Sequence, residues 1–263
     1  MCVSGQGSFG CVYKSTFDGK PVAIKLLHDR WRDKYQVQHI FAELNAYKLD
    51  HPNIVKILAI FNAAENTEIV YEYVGRRNLQ TLLLDPDEIV NPSRRRLFCV
   101  QIAEGMRYCH SRHILHLDLK TSNVLVTDTG DVCKLADFGC SRTILDRSGD
   151  TDLKEASPTD STAVGTLIYK APELLQGFTP TTKADVYSFG YIIWECVCRS
   201  IPFSNMDCHT VVFQVVAKHL RPSFPPTAVD GDRQLFRLAN QCWSHEPKKR
   251  PHFHDVCFML SKL

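Results

Sequence analysis

Four polar side chains lie within one short stretch of this chain, residues 116–139, which reads HLDLKTSNVLVTDTGDVCKLADFG. They belong to Asp118, Lys120, Asn123 and Asp137. Two apolar runs, Val124–Val126 and Val132–Ala136, separate the last of these residues from the first three, and Asp128–Asp131 between the runs is typical of a turn. The pattern therefore predicts a loop, a hairpin and a second loop that carry the polar side chains.

This set of side chains suits phosphoryl transfer. That reaction needs a group that accepts a hydroxyl proton, hard oxygen ligands for Mg²⁺ and a cation beside the transferred phosphoryl group, with little covalent chemistry by the protein. Asp118 can accept the proton, and Lys120 can be the cation. Asn123 and Asp137 can be the metal ligands.

The same stretch resembles the eukaryotic protein kinase family, whose catalytic loop reads H-R-D-L-x-x-x-N and whose metal-binding loop reads D-F-G. The resemblance covers almost the whole chain, with seven motifs in the family's order. It implies a two-lobed α+β fold: a small lobe with an antiparallel sheet and one helix in residues 1–74, and a larger, mainly helical lobe in residues 75–263. The two lobes together form one kinase domain. ATP and Mg²⁺ are the implied cofactors.

The composition argues against several other classes of function. The net charge of +2 is too small to indicate nucleic acid or an anionic membrane as the main partner. Eleven cysteines without a Cys-x-x-Cys pair predict a reducing compartment. We expect no secretory signal, and the longest apolar run, Val186–Cys198, is shorter than the roughly 20 residues that span a membrane. We expect a cytoplasmic monomer that is a bare catalytic domain or a fragment.

Two local patterns have a functional and a structural interpretation. The basic run Arg94–Arg96 could be a binding patch, but we favour the solvated first turn of a helix capped by Asn91. The residues His252, His254 and Cys257 could be metal ligands, but we favour a plain helix face because no further ligand pair completes a tetrahedral set.

A glycine-rich segment near the start of the chain follows the pattern G-x-G-x-x-G at Gly5, Gly7 and Gly10. In a dinucleotide-binding unit these glycines open a helix, and an acidic residue follows about 20 positions later. Here a strand follows, and Lys25 stands at that distance. The context therefore favours a flap over nucleotide phosphates, with Phe9 at its tip.

The family resemblance makes the Lys25 of VAIK the residue that holds the α- and β-phosphates of ATP, with Val12 under the adenine. Lys25 needs an anionic partner, and we choose Glu43 in a helical region from about Arg32 to Leu49. The apolar face of that helix is predicted to contain Phe41, Leu44, Ala46 and Tyr47, and the alternative for Glu43 is a plain surface charge.

The segment Tyr71–Gly75 is predicted to be the hinge between the lobes, because a strand there gives way to a polar connection. By resemblance, Glu72 and Val74 offer backbone groups to adenine, and Tyr71 stands at the gatekeeper position, where its bulk narrows the cavity behind the adenine. The complete predicted ATP site consists of Gly5, Gln6, Gly7, Ser8, Phe9, Gly10, Val12, Ala23, Lys25, Glu43, Tyr71, Glu72, Val74, Leu125 and Asp137.

Beyond the hinge the sequence predicts helices at Leu79–Leu84 and Ser93–Ser111. By resemblance, Asp185 braces the backbone of the catalytic loop, and Glu173 of the A-P-E motif pairs with Arg250. A pair of this kind would be buried and costly to break on one side only.

The polar segment Thr143–Val164 is predicted to be mobile, and it leads into GTLIYKAPE, residues 165–173. That motif resembles the substrate-docking loop of kinases, and the resemblance implies that Gly165 and Thr166 contact the substrate. By resemblance to the serine/threonine kinases of the family, Lys120 together with Thr166 implies serine or threonine as the acceptor.

One residue departs from the family pattern in a way that matters for regulation. Most relatives have an arginine that binds a phosphorylated activation segment, and this chain has Leu117 there, which cannot bind phosphate. We therefore expect activity without phosphorylation of the activation segment. The hydroxyl residues whose phosphorylation we expect to be unnecessary are Ser148, Thr151, Ser157, Thr159, Ser161 and Thr162.

Within the family, HLDLK, DFGCS and the Cys242-Trp243 and Arg250-Pro251 pairs resemble oocyte serine/threonine kinases that phosphorylate a MAP kinase kinase. The resemblance implies a MAP kinase kinase as the protein substrate and a role in meiosis. The alternatives are another kinase upstream in a MAP kinase cascade and a pseudokinase scaffold, which would keep the fold and bind partners without chemistry.

Overall fold

The computed structural model describes residues 3–7, 10–28, 40–63, 66–144, 166–225 and 232–263. Three residues of the predicted site, Ser8, Phe9 and Gly165, lie outside these ranges, as does most of the segment predicted to be mobile. The hydroxyl residues of the activation segment named above also lie outside them.

The N-terminal lobe contains a five-stranded antiparallel sheet with the strand order β1-β2-β3-β5-β4. Asp18 and Gly19 form the turn between β2 and β3 with φ angles of 50° and 72°, as their hairpin-forming sequence predicts. The strands are β1 Val3–Gly7, β2 Gly10–Phe17, β3 Lys20–His28, β4 Ile57–Ala63 and β5 Asn66–Glu72.

In the described part of the N-terminal lobe, one helical segment accompanies this sheet. It is helix α1, described over residues 40–44, and a 3-10 turn, Asn45–Lys48, continues it. Glu43 and Ala46 are both 2% exposed, whereas Phe41 and Tyr47 are 66% and 51% exposed. The prediction that Phe41 and Tyr47 belong to the packed face was therefore wrong. A 3-10 turn has three residues per turn, so residues 43 and 46 align toward the sheet and residue 47 turns outward.

The C-terminal lobe is mainly helical, and the predicted two-lobed α+β kinase fold is confirmed. Two small sheets join its loops, with the strand orders β6-β8-β9 and β10-β7. The helices are α2 Leu79–Leu84, α3 Pro92–Ser111, α4 Pro172–Leu175, α5 Thr182–Cys198, α6 Cys208–Lys218, α7 Arg233–Cys242 and α8 Phe253–Ser261. The short strands are β6 Arg77–Asn78, β7 Ile114–Leu115, β8 Val124–Val126, β9 Cys133–Leu135 and β10 Arg142–Thr143.

Helix α5 is the centre of this lobe, since every residue from Thr182 to Val197 is buried. Helices α3 and α7 pack against it. At Gly190 a Cβ atom would lie 3.1 Å from the Cβ of Trp243 and 3.2 Å from the carbonyl oxygen of Ala239, so a larger residue would require the neighbouring atoms to move by a few tenths of an ångström. Within the described residues, no helix has the length and apolar character that crossing a membrane requires.

Helix α3 begins as its sequence predicts, with the Asn91 Oδ1 accepting a hydrogen bond from the Arg94 N–H at 2.9 Å. The prediction that Arg94–Arg96 is a solvated turn was wrong for its first two residues. The side chains of Arg94 and Arg95 are 18% and 16% exposed and form ion pairs with Glu88 and Asp232. The first turn of α3 faces these acids, and Asp232 is too distant in sequence for the local pattern to show the contact.

The two lobes are connected beyond the hinge by backbone hydrogen bonds. The Val55 N–H donates to the Leu135 carbonyl oxygen at 2.9 Å, and the Leu135 N–H donates to the Asn53 carbonyl oxygen at 2.8 Å. These bonds hold the segment that precedes β4 against β9, immediately before the loop that contains Asp137.

Candidate active site

The structure brings Lys25, Glu43 and Asp137 together, although they lie on three separate elements. The Lys25 Nζ lies 3.0 Å from the Glu43 Oε2 and 2.8 Å from the Asp137 Oδ1. Burial acts to lower the pKa of Lys25, but the two carboxylates outweigh burial and raise it. The lysine is therefore charged, and its position is set by one anion from each lobe.

Asp137 is positioned by an uncommon backbone conformation. Its φ angle is 60°, in the left-handed region that a non-glycine residue rarely adopts. Such conformations cluster at functional sites, where the surrounding structure maintains them. Here the preceding strand, β9, is hydrogen-bonded to β8 on one side and to Asn53 and Val55 on the other. The Lys25 ammonium group then contacts the Asp137 carboxylate.

Asp118 is the centre of a second cluster. Its Oδ2 accepts a hydrogen bond from the Asn123 Nδ2 at 2.9 Å and lies 2.8 Å from the Lys120 Nζ. Its Oδ1 accepts from the Thr166 N–H at 2.8 Å, and the Lys120 Nζ also donates to the Thr166 Oγ1 at 2.5 Å. The carboxylate therefore joins the catalytic loop directly to the predicted substrate-docking loop.

Asp185, in the first turn of α5, holds the backbone just before Asp118. Its carboxylate accepts hydrogen bonds from the N–H groups of His116 and Leu117 at 3.0 and 2.8 Å. Leu117 has a φ angle of 62°, so these bonds stabilise a strained residue. Burial acts to raise the pKa of Asp185, but bonding to His110, 2.9 Å away, and to this backbone lowers it, so Asp185 is ionised.

Glu195, nearly three turns further along α5, is a residue whose role was not predicted from the sequence. Its carboxylate accepts hydrogen bonds from the Thr121 hydroxyl in the catalytic loop and, at 2.5 Å, from the Tyr169 hydroxyl in the docking loop. Burial raises the pKa of Glu195 to about 7, against the lowering effect of these two bonds. An acid that interrupts the apolar run Val186–Cys198 was the available signal.

The predicted pair between Glu173 and Arg250 is present and buried. The Arg250 Nη1 and Nη2 lie 2.6 and 2.8 Å from the Glu173 Oε1 and Oε2. Arg250 also donates to the backbone carbonyl oxygens of Lys183, Ser244 and His245. This bidentate contact attaches the end of the docking segment to the last part of the lobe.

At the hinge, the backbone of Glu72 is only partly available for a nucleotide. Its N–H already donates to the Lys56 carbonyl oxygen at 3.0 Å. Its side chain accepts from the Lys134 Nζ at 2.6 Å and the Lys56 N–H at 2.9 Å. The preceding residue, Tyr71, donates its hydroxyl to the Glu43 Oε1.

The other predicted ATP-site residues lie on neighbouring strands. Val12 on β2 is paired with Lys25 on β3, Ala23 lies opposite Tyr71 of β5, and Leu125 is in β8. Val74 follows the end of β5. For Gly5, Gln6, Gly7 and Gly10 the structure gives the backbone hairpin of β1 and β2, in which Gly7 pairs with Gly10.

Asn123 and Asp137 fit a magnesium ion that is bound jointly by the protein and a nucleotide. Because the Asn123 Nδ2 donates to Asp118, its Oδ1 is the atom left for a metal, and the side chain of Asp137 is 40% exposed. In the described part of the chain, no group of three or more His, Cys, Asp and Glu residues is arranged to hold a metal ion. Mg²⁺ usually binds one or two carboxylates and substrate phosphates, so a two-residue set is in keeping with it.

Comparison with known proteins gives the family. Residues 3–259 match the protein kinase domain. Similar proteins include the serine/threonine-protein kinase mos of Patiria pectinifera, which is 39% identical over 265 residues, covering 99% of this chain and 73% of the relative. That of Xenopus laevis is 34% identical over 268 residues, covering 98% and 74%. The proto-oncogene serine/threonine-protein kinase mos of Mus musculus is 35% identical over 265 residues, covering 94% and 75%.

Both the motif positions and these similarities lead to the same assignment. The chain belongs to the protein kinase family and is an ATP-dependent protein serine/threonine kinase related to Mos.

Proposed function

We propose that this kinase transfers the γ-phosphoryl group of ATP to a serine or threonine of a MAP kinase kinase and acts in oocyte meiosis, as its similarity to the Mos kinases implies. The observation that carries the chemical part is the position of Asp118, whose carboxylate meets Asn123, Lys120 and Thr166 within 2.9 Å. We place the boundary between the lobes at residues 74 and 75, and we propose a cytoplasmic monomer.

Asp118 is the proposed proton acceptor. An acceptor hydroxyl that replaces the Thr166 N–H or the Asn123 amide at the carboxylate can donate its hydrogen to Asp118, which orients the oxygen and takes the proton as attack proceeds. Positioned acid–base groups of this kind contribute about 10²–10⁴-fold to the rate. Lys120 offsets the charge of the transferred group, and Thr166 with Gly165 positions the acceptor segment.

The N-terminal lobe is proposed to bind and orient the nucleotide. Lys25, braced by Glu43, holds the α- and β-phosphates, and Asn123 and Asp137 hold Mg²⁺. A bound Mg²⁺ would supply positive charge that offsets the charge of the phosphates during transfer. Lys25 meets Asp137 in the structure described here, so the lysine and the metal ligand are already adjacent.

A direct transfer assay tests this function. The purified kinase is incubated with radiolabelled ATP, Mg²⁺ and a catalytically inactive MAP kinase kinase, and label on serine and threonine is measured. We expect label with the wild-type chain and a loss of at least about 100-fold with Asp118→Asn, which retains the shape of the side chain but cannot accept the proton.

A comparison of casein with the MAP kinase kinase as acceptors in this assay separates the alternative functions. Label on casein but not on the MAP kinase kinase would contradict the proposed substrate and favour another protein acceptor. An Asp118→Asn variant with undiminished activity would contradict the proposed proton acceptor. Binding of ATP without transfer to any acceptor would favour a pseudokinase scaffold.

A further inference from the structure

The Glu43 carboxylate has a second partner that the predicted ion pair does not use. While its Oε2 meets the Lys25 Nζ at 3.0 Å, its Oε1 accepts a hydrogen bond from the Tyr71 hydroxyl. Glu43 is 2% exposed, so both oxygens of a buried carboxylate are satisfied by donors from the sheet. Burial, followed by the charge of Glu43, raises the pKa of Tyr71, which keeps its hydroxyl protonated as a donor.

A second contact attaches the same helical segment from the other side. The Ser141 Oγ donates to the Ala42 carbonyl oxygen at 2.7 Å and accepts from the Asn45 Nδ2 at 3.0 Å. The Thr143 Oγ1 donates to the Asn45 Oδ1 at 3.3 Å. Ser141 is 4% exposed and follows the D-F-G motif by two residues, so the start of the activation segment is bonded to the helix that contains Glu43.

Leu117 bears on how the helix that contains Glu43 is held in place. An aliphatic side chain there offers no donor for a phosphate group, so a phosphorylated activation segment cannot be held at this point. The helix that contains Glu43 is nevertheless connected to β3 by Lys25, to β5 by Tyr71 and to the activation segment by Ser141. All three connections use unmodified side chains.

We propose that Tyr71 and Ser141 are positioning residues, which hold Glu43 against Lys25 and so make nucleotide binding independent of phosphorylation of the activation segment. This inference rests on the proposed role of Lys25 and Glu43 in holding the phosphates of ATP. Tyr71 acts through Glu43 from the sheet, and Ser141 acts through the backbone of the helix.

The test compares Tyr71→Phe and Ser141→Ala with Tyr47→Phe, using phosphatase-treated kinase and casein as the acceptor. Tyr47→Phe is the matched control, because it also removes a tyrosine hydroxyl. Tyr47 belongs to the helical segment that contains Glu43, and its side chain is 51% exposed. We expect Tyr71→Phe to raise the KM for ATP about tenfold or more and to leave the KM for casein within about twofold. Ser141→Ala should act in the same direction with a smaller effect, and Tyr47→Phe should change neither constant by more than about twofold.

The Glu43→Gln background shows whether Tyr71 acts through Glu43. If it does, the added Tyr71→Phe substitution changes the KM for ATP by less than about twofold in that background. An equal rise in both backgrounds, or an unchanged KM in the single Tyr71→Phe variant, would overturn the positioning role. If Glu43→Gln itself leaves the KM for ATP unchanged, both the positioning role of Tyr71 and Ser141 and the proposed phosphate-binding role of Glu43 and Lys25 fail. This result therefore differs from failure of the positioning role alone.

A measurement on the wild-type chain keeps the proposal testable if a variant fails to fold. Phosphatase treatment should leave kinase activity within about twofold and amide hydrogen exchange in residues 40–48 unchanged. A loss of activity of more than about tenfold on dephosphorylation, reversed by rephosphorylation, would overturn independence from phosphorylation.

Discussion

The two halves of the candidate site are supported in different ways. Around Asp118, the catalytic loop is attached through Asp185 and Glu195 to α5, a helix whose first sixteen residues are all buried. Around Lys25, the described part of the helical segment that contains Glu43 exposes Phe41 and Tyr47 on its outer face. The C-terminal half is backed by a helix that is buried on all sides, whereas the helical segment of the N-terminal half is buried on one face, where polar contacts join it to Lys25, Tyr71 and Ser141.

Because of this difference, we expect substitutions in the two halves to affect different properties, unfolding in one half and ligand binding in the other. Substitutions beneath the catalytic loop should lower the free energy of unfolding, because they leave buried polar groups without partners. Substitutions around the helical segment 40–48 should instead alter nucleotide or inhibitor binding with a smaller effect on unfolding. The following predictions test that contrast, beginning with the largest expected effect.

Arg250→Met should lower the free energy of unfolding by about 3–5 kcal/mol, because the carboxylate of Glu173 would stay buried without its partner. Urea unfolding measures this change. Lys249→Met is the matched control, since Lys249 pairs with Glu246 and its side chain is 67% exposed. The control should cost less than about 1 kcal/mol. Equal costs for the two variants would refute the view that this part of the lobe depends on a buried pair.

Glu195→Gln should change how stability depends on pH. Burial raises the pKa of Glu195 from 4.5 to about 7, so its contribution to stability is fully present below pH 4.5 and is lost as pH rises through 7. Glutamine does not ionise. Relative to the variant, the wild-type chain should therefore lose up to about 3 kcal/mol of unfolding free energy between pH 4 and pH 8.

Urea unfolding at a series of pH values gives this difference, with Glu246→Gln as the control because the side chain of Glu246 is 63% exposed. A wild-type-minus-variant difference for Glu195→Gln that stays flat with pH would contradict the assigned burial effect.

Tyr71→Ala should improve binding of an inhibitor that extends behind the adenine by about tenfold, or about 1.4 kcal/mol, because removal of the ring opens space there. Calorimetric titration of both chains measures the affinity. The comparison compound is an inhibitor confined to the adenine position, whose Kd should change by less than about threefold. Equal affinity of both chains for the extended inhibitor would show that the Tyr71 ring does not limit this cavity.

Phe41→Ser should have the smallest effect, with a change in unfolding free energy below about 0.5 kcal/mol, because the side chain is 66% exposed. Ala46→Ser, at a position of the same segment that is 2% exposed, is the contrasting variant and should cost more. A Phe41→Ser cost as large as that of Ala46→Ser would mean that the outer face of the helix is packed after all.

Local features of the fold were predictable because their causes lie within a few residues. The helix Leu79–Leu84 was predicted with its observed bounds, and the Asn91 cap and the Asp18-Gly19 turn were recognised from their own sequences. The apolar run Ile54–Phe61 is typical of one continuous strand, but strand β4 begins only at Ile57. Ile54 and Val55 are apolar like the strand residues that follow, but they pair with Leu135 of the other lobe and not with the sheet.

The site was predictable to the extent that motifs specify chemistry. Asp118, Asn123 and Asp137 were chosen because their spacing resembles a family, and the structure places them with Lys25 and Lys120 in two adjoining clusters. The contacts of Glu195 with Thr121 and of Tyr71 with Glu43 were not predicted. Each joins side chains from elements that are distant along the chain, and no local pattern encodes such a contact.

By itself, the sequence determined the residue types available for phosphoryl transfer, the order of the motifs and the local turns and caps, because these depend on neighbours along the chain. Only the tertiary structure decided that Arg94 and Arg95 turn inward, that Phe41 turns outward and that Tyr71 meets Glu43. The physical reason is that burial and hydrogen-bond partners depend on which distant surfaces meet, and that is settled by packing of the whole chain.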